Sequence, residues 1–258
     1  MNASSKLSRR LEAVAGFVTV GNELIDIGTD HAYLPIELVK RGVCPRAIAA
    51  DVAPGPLERA SAHIRQSGLG EQIETVLSNG LENIPDTAGK TLTIAGMGGP
   101  LALDILLAYP DRVLRLYEAV FQIQSRIEGF RAGLRSMGFV IADEAMVEEE
   151  GKYYPVIKVY FGQSAAGSGS PGTMPGETGQ QDISDEMADR YGTALIAKKD
   201  PTLLRFLEFE AATLDKAIGE IKGRSRGFAD GKEKMKELER RHYVNREAYQ
   251  MISGTRQT

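Results

Sequence analysis

Short apolar runs alternate with helix-like segments between residues 24 and 161 of the chain. The apolar runs have the length of buried strands and lie at 24–27, 47–50, 73–77, 91–95 and 119–123. The segments between them with helical character lie at 33–41, 54–66, 101–108 and 127–137. Strands that alternate with helices predict a mostly parallel sheet covered by helices on both faces. Two further runs, 139–147 and 153–161, flank an acidic turn, so we expect the sheet to end in an antiparallel hairpin.

The alternating pattern breaks at residues 162–180, where eleven of nineteen residues are Gly, Ser or Pro. Such a segment cannot pack a core, and it predicts a flexible linker. Beyond it, apolar residues at 207, 211, 214, 218 and 221 follow heptad spacing, and a second, charged helix is predicted over 232–251. We therefore expect a sheet domain over 1–162, a linker over 163–182 and a helical coiled-coil hairpin over 183–258.

Composition restricts the classes of protein that the chain can belong to. Hydrophobic residues make up 42% and charged residues 26%, and no apolar run approaches the length of a membrane span. A single cysteine excludes a disulfide framework, and three histidines far apart in the sequence argue against a metal site. These features, with a polar N-terminus that lacks an apolar signal segment, predict a cytoplasmic protein with no membrane partner.

Charge is distributed unevenly along the chain. The net charge is −4, but residues 222–258 hold ten basic and five acidic side chains, which gives +5 there and −9 in the rest. This asymmetry indicates a polyanionic partner at the C-terminal end; a solvated helix with a lysine-rich face is the alternative. The cations expected to contact nucleic-acid phosphates are Arg224, Arg226, Lys232, Lys234, Arg240 and Arg241.

The run from Leu24 to Leu34 carries the clearest ligand-binding pattern. A predicted strand enters a glycine turn and then a helix, which is where doubly wound sheets bind ligands. A dinucleotide site would need glycines where Asp30 and Tyr33 stand, and a Walker phosphate loop is absent. A carboxylate there disfavours phosphate and suits a zwitterionic ligand such as S-adenosylmethionine, whose ammonium would face Asp26 and Asp30. The alternative is that both acids only cap the turn and the helix.

Three later strand ends carry residues that also suit an adenosyl ligand. Asp51 can hydrogen-bond ribose hydroxyls, or it is simply a turn acid before Pro54. Asn79-Gly80 can hold an adenine ring, or it forms a plain turn. The three glycines of Ala95–Gly99 let the backbone approach a ligand closely, or they start a helix. Because parallel strands end at one sheet edge, these positions together predict an S-adenosylmethionine site.

Several short segments together match one protein family. The most specific are 28–35 and 95–99, and the others are Leu7–Leu11, Asn79–Glu82, Gln122, Gly138-Phe139, Gly151–Tyr154 and Arg190–Gly192. On these residues the chain resembles the bacterial tRNA (adenine-22-N1) methyltransferases, the TrmK type. The resemblance implies an α/β protein, with a Rossmann-like class I methyltransferase domain and a C-terminal helical coiled-coil domain. It also implies methyl transfer from S-adenosylmethionine to N1 of adenine 22 in tRNA, with S-adenosylhomocysteine as product and no metal.

The resemblance and the strand-end positions together give the expected site residues. The cofactor contacts expected are Arg10, Asp26, Gly28, Thr29, Asp30, His31, Ala32, Tyr33, Leu34, Asp51, Val52, Asn79, Gly80, Leu81, Ala95, Gly96, Met97, Gly98 and Gly99. Asp30, His31 and Tyr33 are expected nearest the reacting atoms, although attack by adenine N1 needs no strong base. Arg9 and Gln122 are expected RNA contacts, and Arg10 has two candidate partners, an RNA phosphate and the methionine carboxylate.

Two positions depart from the family pattern, and two other functions stay open. Ile123-Gln124 follows Gln122 where the family usually has a proline, and Pro155 replaces a residue that is usually acidic. One alternative is a non-catalytic RNA-binding protein with a vestigial cofactor fold, against which the intact Gly28–Tyr33 loop argues. The other is a methyltransferase for another substrate, against which the basic C-terminal hairpin argues. We expect tRNA as partner and a monomeric protein.

Overall fold

The structure is a computed structural model that describes residues 7–161, 184–224 and 229–254. The chain folds into two compact units, residues 1–177 and 178–258. The segment 163–182, for which the sequence predicts a linker, lies outside the described residues. The three-part division of the chain therefore stays a prediction.

A mixed sheet of seven strands forms the centre of the first unit within the described residues. The strands are β1 (Leu24–Ile27), β2 (Ala47–Asp51), β3 (Ile73–Leu77), β4 (Thr91–Gly98), β5 (Glu118–Ser125), β6 (Val140–Glu149) and β7 (Lys152–Tyr160). Their order is β3-β2-β1-β4-β5-β7-β6. β7 runs antiparallel to both of its neighbours, and the other pairs are parallel. The predicted mostly parallel sheet with an antiparallel C-terminal hairpin is confirmed, and the antiparallel strand is the one beside the edge.

Six helices of the first unit cover the two faces of this sheet in the part of the chain that is described. They are α1 (Arg9–Phe17), α2 (Tyr33–Lys40), α3 (Pro54–Gln66), α4 (Gly99–Ala108), α5 (Pro110–Val113) and α6 (Ile127–Ser136). Side chains of α1, α2 and α3 share one apolar core with the sheet, and those of α4, α5 and α6 share another. Burial on both faces explains why the central strands are apolar runs without alternation.

The end of β4 departs from the sequence prediction, which stopped the strand at Ala95. The strand continues to Gly98 and pairs with a longer β5, but its register shifts between Ala95 and Met97. Gly96 lies in this irregularity with φ +84°, a conformation that glycine adopts at low cost. The irregularity breaks the regular pairing at the carboxyl end of β4.

The second unit is helical in its described residues. It comprises α7 (Asp185–Tyr191), α8 (Thr193–Ala197), α9 (Pro201–Arg224) and α10 (Ala229–Ser253). The predicted seam on α9 is present, since Leu207 and Leu214 are buried. Asn245 on α10 donates to the Leu207 carbonyl and to Glu210 Oε2, at 3.1 and 3.0 Å. The two long helices therefore form an antiparallel hairpin. No helix among the described residues is long and apolar enough to span a membrane.

Candidate active site

A cavity of about 280 Å³ opens at the carboxyl ends of β1, β4 and β5. Doubly wound sheets bind ligands at this edge, because the strand-to-helix turns there present backbone groups and helix N-termini. The cavity is lined by Ser8, Arg10, Leu11, Asp26, Gly28, Thr29, Asp30, His31, Tyr33, Leu34, Ala95, Gly96, Gln122 and Gln124. The structure thus brings together residues from the N-terminus, the β1–α2 turn and the ends of β4 and β5.

Asp26 supplies a buried carboxylate to this cavity. It is 5% exposed, and its Oδ1 accepts a hydrogen bond from the Thr93 hydroxyl at 2.7 Å. Burial raises its pKa to about 6, with the hydroxyl bond opposing the shift. The group is therefore ionised at neutral pH but close to titration, and a cationic ligand atom nearby would favour the ionised form.

The turn from Gly28 to Ala32 holds an unusual backbone. Gly28, Asp30 and Ala32 have φ of +76°, +43° and +57°, and the last two are strained for residues with a Cβ. A Cβ on Gly28 would collide with the Met97 methyl group, so a larger residue cannot replace this glycine without movement of Met97. The strained turn brings Asp30 and His31 to the cavity wall.

Three rings stack at the mouth of the cavity. His31 lies 5.3 Å from Tyr33 and 5.2 Å from His63, measured between ring centroids. The His63 ring nitrogen Nδ1 also lies 3.2 Å from the His31 carbonyl oxygen. His63 comes from α3, so histidines that are far apart in the sequence meet in space. The described residues nevertheless contain no group of three or more His, Cys, Asp or Glu side chains arranged to hold a metal.

Asp30 already has a cationic neighbour. Its Oδ1 accepts a hydrogen bond from Arg59 Nη2 at 2.9 Å, and its Oδ2 lies 3.6 Å from His31 Nε2. The side chains of Arg59 and Asp30 are 50% and 59% solvent-exposed. Such an exposed pair contributes little to stability, so Asp30 is free to exchange Arg59 for a ligand group.

Arg10 enters the cavity from α1 and is held from behind. Glu149 Oε2 accepts a hydrogen bond from Arg10 Nε, and the guanidinium lies 4.5 Å from the centre of the Tyr154 ring. Glu149 Oε1 also accepts from the Arg9 amide at 2.8 Å. Burial acts to raise the Glu149 pKa, but the bond and charge of Arg10 outweigh it and lower the pKa on balance. The Nη groups of Arg10 stay available for an anion in the cavity.

The opposite wall is formed by the ends of β4 and β5. Gln122 and Gln124 lie two residues apart on β5, and both line the cavity. Gln122 was predicted as an RNA contact, and the structure places it 1% exposed at the cavity floor. Its Nε2 is buried and has no hydrogen-bond partner among the described residues. Gln122 is therefore available only to a ligand that enters the cavity, because it is buried below the outer surface.

Of the three glycines at the end of β4, only Gly96 lines the cavity. A Cβ on Gly98 would lie 2.9 Å from Ser125 Oγ, and one on Gly99 would lie 2.7 Å from the Arg126 carbonyl oxygen. These two positions need glycine for close packing against the β5–α6 turn. The sequence could not separate this role from close approach to a ligand, because both require the same residue.

The remaining predicted cofactor residues lie outside the cavity wall. Asp51, Val52 and Asn79 follow β2 and β3 on the same sheet edge, where Val52 is 66% exposed. Asp51 Oδ1 accepts a bond from the Ala53 amide at 2.9 Å, which is the turn role that the sequence left open. The side chains of Ala32 and Leu81 are fully buried, and Gly80 packs on Ile105. We call the positions of Asp51, Val52 and Asn79, which lie at or just after the ends of β2 and β3, the shallow surface.

The predicted RNA-binding cations of the second unit differ in their surroundings. Lys232 and Lys234 are exposed on α10. Arg240 pairs with Glu186 at 2.8 Å and Arg241 with Glu210 at 3.1 Å, so part of the predicted positive charge is neutralised within this unit. Arg224 ends α9, and its side chain is not among those described; Arg226 lies outside the described residues altogether. Arg9, in the first unit, is exposed at the start of α1.

Five residues at or beside the cavity are not among those that the sequence predicts. They are Ser8, Leu11, Arg59, His63 and Gln124. Gln124 stands one position beyond the predicted strand 119–123, and it belongs to β5 only because that strand is longer than predicted. Arg59 and His63 reach the site only because α3 brings them beside the β1–α2 turn, and no local pattern in the sequence reports such a contact.

The chain matches a known family model over much of its length. Residues 7–157 match the family described as a methyltransferase domain, and this range contains the whole cavity. The match covers more than half of the chain. It agrees with the position of the cavity at the carboxyl ends of the parallel strands.

Individual relatives point to a narrower family. The tRNA (adenine(22)-N(1))-methyltransferase of Bacillus subtilis is 35% identical over 161 residues, which is 62% of this chain and 68% of that protein. The crystal structure of the B. subtilis M1A22 tRNA methyltransferase TrmK is similar with a TM-score of 0.78 and 30% identity, over 95% of this chain and 99% of that one. The structure of M. capricolum TrmK in complex with S-adenosyl-homocysteine has a TM-score of 0.75 and 26% identity, over 95% and 99%. The chain therefore belongs to the tRNA (adenine(22)-N(1))-methyltransferase family of methyltransferase-domain proteins.

Proposed function

We propose that this protein transfers a methyl group from S-adenosylmethionine to N1 of adenine 22 in tRNA. The observation that carries the proposal is the cavity at the ends of β1, β4 and β5, which joins a buried carboxylate, an arginine and two glutamines. The reaction is the one for which the relatives are named, and the cavity contains side chains that suit it. Because tRNA is the substrate, we expect the protein to act in the cytoplasm.

The residues of the cavity fit the methyl donor at both of its charged ends. Asp26 is a buried carboxylate that needs a cationic partner, and the donor's ammonium provides one. Arg10 offers its Nη groups to the donor's carboxylate while Glu149 fixes its Nε. Asp51 has one oxygen committed to the Ala53 amide and a second available for ribose hydroxyls on the shallow surface. We assign the adenosine part to that surface and the methionine part to the cavity.

The proposed reaction requires the protein to align the reacting atoms more than to transfer a proton. Bound S-adenosylmethionine would supply an electrophilic methyl group on its sulfonium. The in-plane lone pair of adenine N1 would form the bond to that carbon as the carbon–sulfur bond breaks, and S-adenosylhomocysteine would leave. The side chains of the cavity hold N1 in line with that methyl group, which lowers the entropic cost of the encounter. Positive charge moves onto the base, so carboxylate and carbonyl oxygens near it stabilise the transition state. Asp30 is the exposed carboxylate among the residues that line the cavity, and we assign it this role.

A general base has no required place in this scheme, because adenine N1 carries no proton at neutral pH. His31 is therefore assigned a packing role with Tyr33 and His63 rather than proton abstraction. The stacked rings at the mouth present apolar faces on which a nucleobase turned out of the tRNA can rest. This arrangement would shield the reacting atoms from water.

The test is nucleoside analysis of tRNA after reaction with labelled donor. Purified full-length protein should place label in 1-methyladenosine, and a tRNA in which position 22 is guanine should take up none. Label in another nucleoside would identify a methyltransferase with a different target. Donor binding without any RNA methylation would support a different substrate, and absence of donor binding would support an RNA-binding protein with a vestigial site.

A further inference from the structure

The side chain of Gln122 on β5 is buried at the cavity. The side chain is 1% exposed, yet it lines the cavity beside Ala95, Gly96 and Gln124. Its Nε2 is buried without a hydrogen-bond partner among the described residues. A buried amide that lacks a partner costs about 1–3 kcal/mol, so such a group in a cavity indicates a ligand that completes its hydrogen bonds.

The position of Gln122 fits the base rather than the methyl donor's charged groups. Gln122 stands directly opposite Ala95 in the parallel pairing of β4 and β5. Asp26, the acid for the donor's ammonium, pairs in the same way with Thr93, which is two residues before Ala95. A neutral amide stabilises an ammonium or a carboxylate much less than the charged side chains of Asp26 and Arg10 do. A neutral heterocycle with one donor and one acceptor matches it fully.

We propose that Gln122 recognises the target adenine through its Hoogsteen edge. Adenine presents N7 as acceptor and the N6 amino group as donor on that edge, and a glutamine amide pairs with both atoms at once. The amide Nε2 would donate to N7, and Oε1 would accept from N6. Pairing on the Watson–Crick edge would instead occupy N1, which is the atom that must attack. The Hoogsteen edge is thus the one bidentate arrangement that leaves N1 free.

The same geometry gives selection of adenine over guanine. Guanine presents two acceptors, N7 and O6, on its Hoogsteen edge. The Gln122 amide can donate to N7, but its Oε1 would then face O6 without a proton between them. A buried oxygen facing another oxygen is left without a hydrogen bond, so guanine would be rejected even where it reached the cavity. Gln122 is therefore a specificity-determining residue of the proposed reaction, and the inference rests on that reaction.

The experiment pairs one substitution with two atomic changes in the base. Full-length wild-type protein and Gln122→Met are compared on tRNA that carries adenosine, 7-deazaadenosine or 3-deazaadenosine at position 22. The 7-deaza base lacks the proposed acceptor, and the 3-deaza base is the matched control with the change on the other side of the ring. Methionine keeps the length of glutamine without an amide. Affinity for S-adenosylmethionine reports whether the variant keeps its fold.

The proposal predicts a specific pattern of rates. For wild type, kcat/KM should fall about tenfold with 7-deazaadenosine and stay near the normal value with 3-deazaadenosine. For Gln122→Met, kcat/KM on adenosine should fall about ten- to a hundredfold, the range for loss of a bidentate base contact. In that variant the 7-deaza change should cause no further loss, because the partner of N7 is already gone. S-adenosylmethionine affinity should not change.

Three results would overturn the assignment. Equal wild-type rates on adenosine and 7-deazaadenosine would show that N7 has no partner in the protein. Full additivity of the substitution and the 7-deaza change would show that Gln122 acts elsewhere. A rate unchanged in Gln122→Met would do the same. If the variant fails to fold, the wild-type comparison of the two deaza bases still decides. A wild-type protein that methylates no tRNA would instead contradict the proposed function itself.

Discussion

Glu149 near the end of β6 holds Arg10 on α1, although 139 residues separate them in the chain. The contact is double, because the same carboxylate also accepts the Arg9 amide proton. The pair fixes the N-terminal segment at the cavity, which Ser8, Arg10 and Leu11 help to line. It thereby links the last part of the sheet to the first helix at the site itself.

We expect Glu149→Ala to weaken S-adenosylmethionine binding by up to about tenfold. Arg10 would lose a charge-assisted hydrogen bond worth about 1.5–3 kcal/mol, so its guanidinium would no longer be held in place. A freely moving arginine binds the donor's carboxylate less well. Calorimetry of the full-length protein measures the change. The matched control is Glu148→Ala, because neighbouring strand residues point to opposite faces and Glu148 does not line the cavity. Equal affinities for the two variants would contradict the role of the pair.

Asp51→Ala should also lower the affinity for S-adenosylmethionine, by about ten- to a hundredfold. The expected cause is the loss of a charge-assisted bond to the ribose, worth about 1.5–3 kcal/mol. The variant loses a turn bond to the Ala53 amide as well, so thermal unfolding must be measured beside binding. Asp86→Ala is the control, since Asp86 forms the same kind of bond with the Ala88 amide far from this edge. A stable Asp51→Ala protein with normal affinity would remove Asp51 from the site.

Binding of S-adenosylmethionine should strengthen as the pH rises through about 6. The pKa of Asp26 is about 6 in the free protein because the group is buried, and an ammonium beside it favours the ionised form. Binding then releases a proton, so affinity increases by up to about tenfold between pH 5 and 6 and levels off above 7. Asp26→Asn should bind more weakly and show no such slope. A wild-type affinity independent of pH would mean that Asp26 does not meet the ammonium.

The same raised pKa has a consequence for the free protein's stability. Because the folded pKa lies above the ordinary 3.8, the folded state holds the Asp26 proton more tightly than the unfolded state. The contribution of Asp26 to the free energy of unfolding is therefore fully present below about pH 4 and is lost as the pH rises through 6. Unfolding in urea at pH 5 and 7 should show a smaller pH effect in Asp26→Asn than in wild type. An equal effect in both proteins would contradict this assignment.

The predicted tRNA contact of the second unit is tested by Lys232 and Lys234, two of its exposed lysines. Replacing Lys232 and Lys234 by glutamine should weaken tRNA binding and reduce the slope of log affinity against log salt by up to about two. S-adenosylmethionine affinity should stay constant. The control is Arg46→Gln with Arg115→Gln, two exposed cations near the amino ends of the strands. If the control lowers the slope as much, the contact is non-specific attraction.

Deletion of residues 167–179 should leave S-adenosylmethionine binding intact. Every member of the two apolar cores of the first unit lies between Leu7 and Phe161. The composition of the deleted segment lacks the apolar residues to build a further core. Thermal unfolding and donor affinity of the shortened protein measure this. Loss of folding in the first unit would show that the domain boundary is drawn in the wrong place.

Local sequence patterns could predict the sheet and the edge at which the cavity opens. Apolar runs such as Leu24–Ile27 gave strands, and Gly28 directly after that run marked its carboxyl end. The pairs that complete the site could not be predicted in this way. Arg10 with Glu149, and His31 with His63, are tertiary contacts between elements that no periodicity connects. The strained φ of Asp30 and Ala32 was also invisible, because both residues normally avoid that conformation.

The most direct test of the central claim is to locate the methyl group on tRNA. Purified protein, S-adenosylmethionine and a tRNA transcript with adenine at position 22 should yield one 1-methyladenosine, found by mass spectrometry of nuclease fragments. Reverse transcription should stop at position 22, since a methyl group on N1 blocks Watson–Crick pairing. A transcript with guanine at that position should give neither signal. A methyl group on another residue, or none in a protein that binds the donor, would contradict the account.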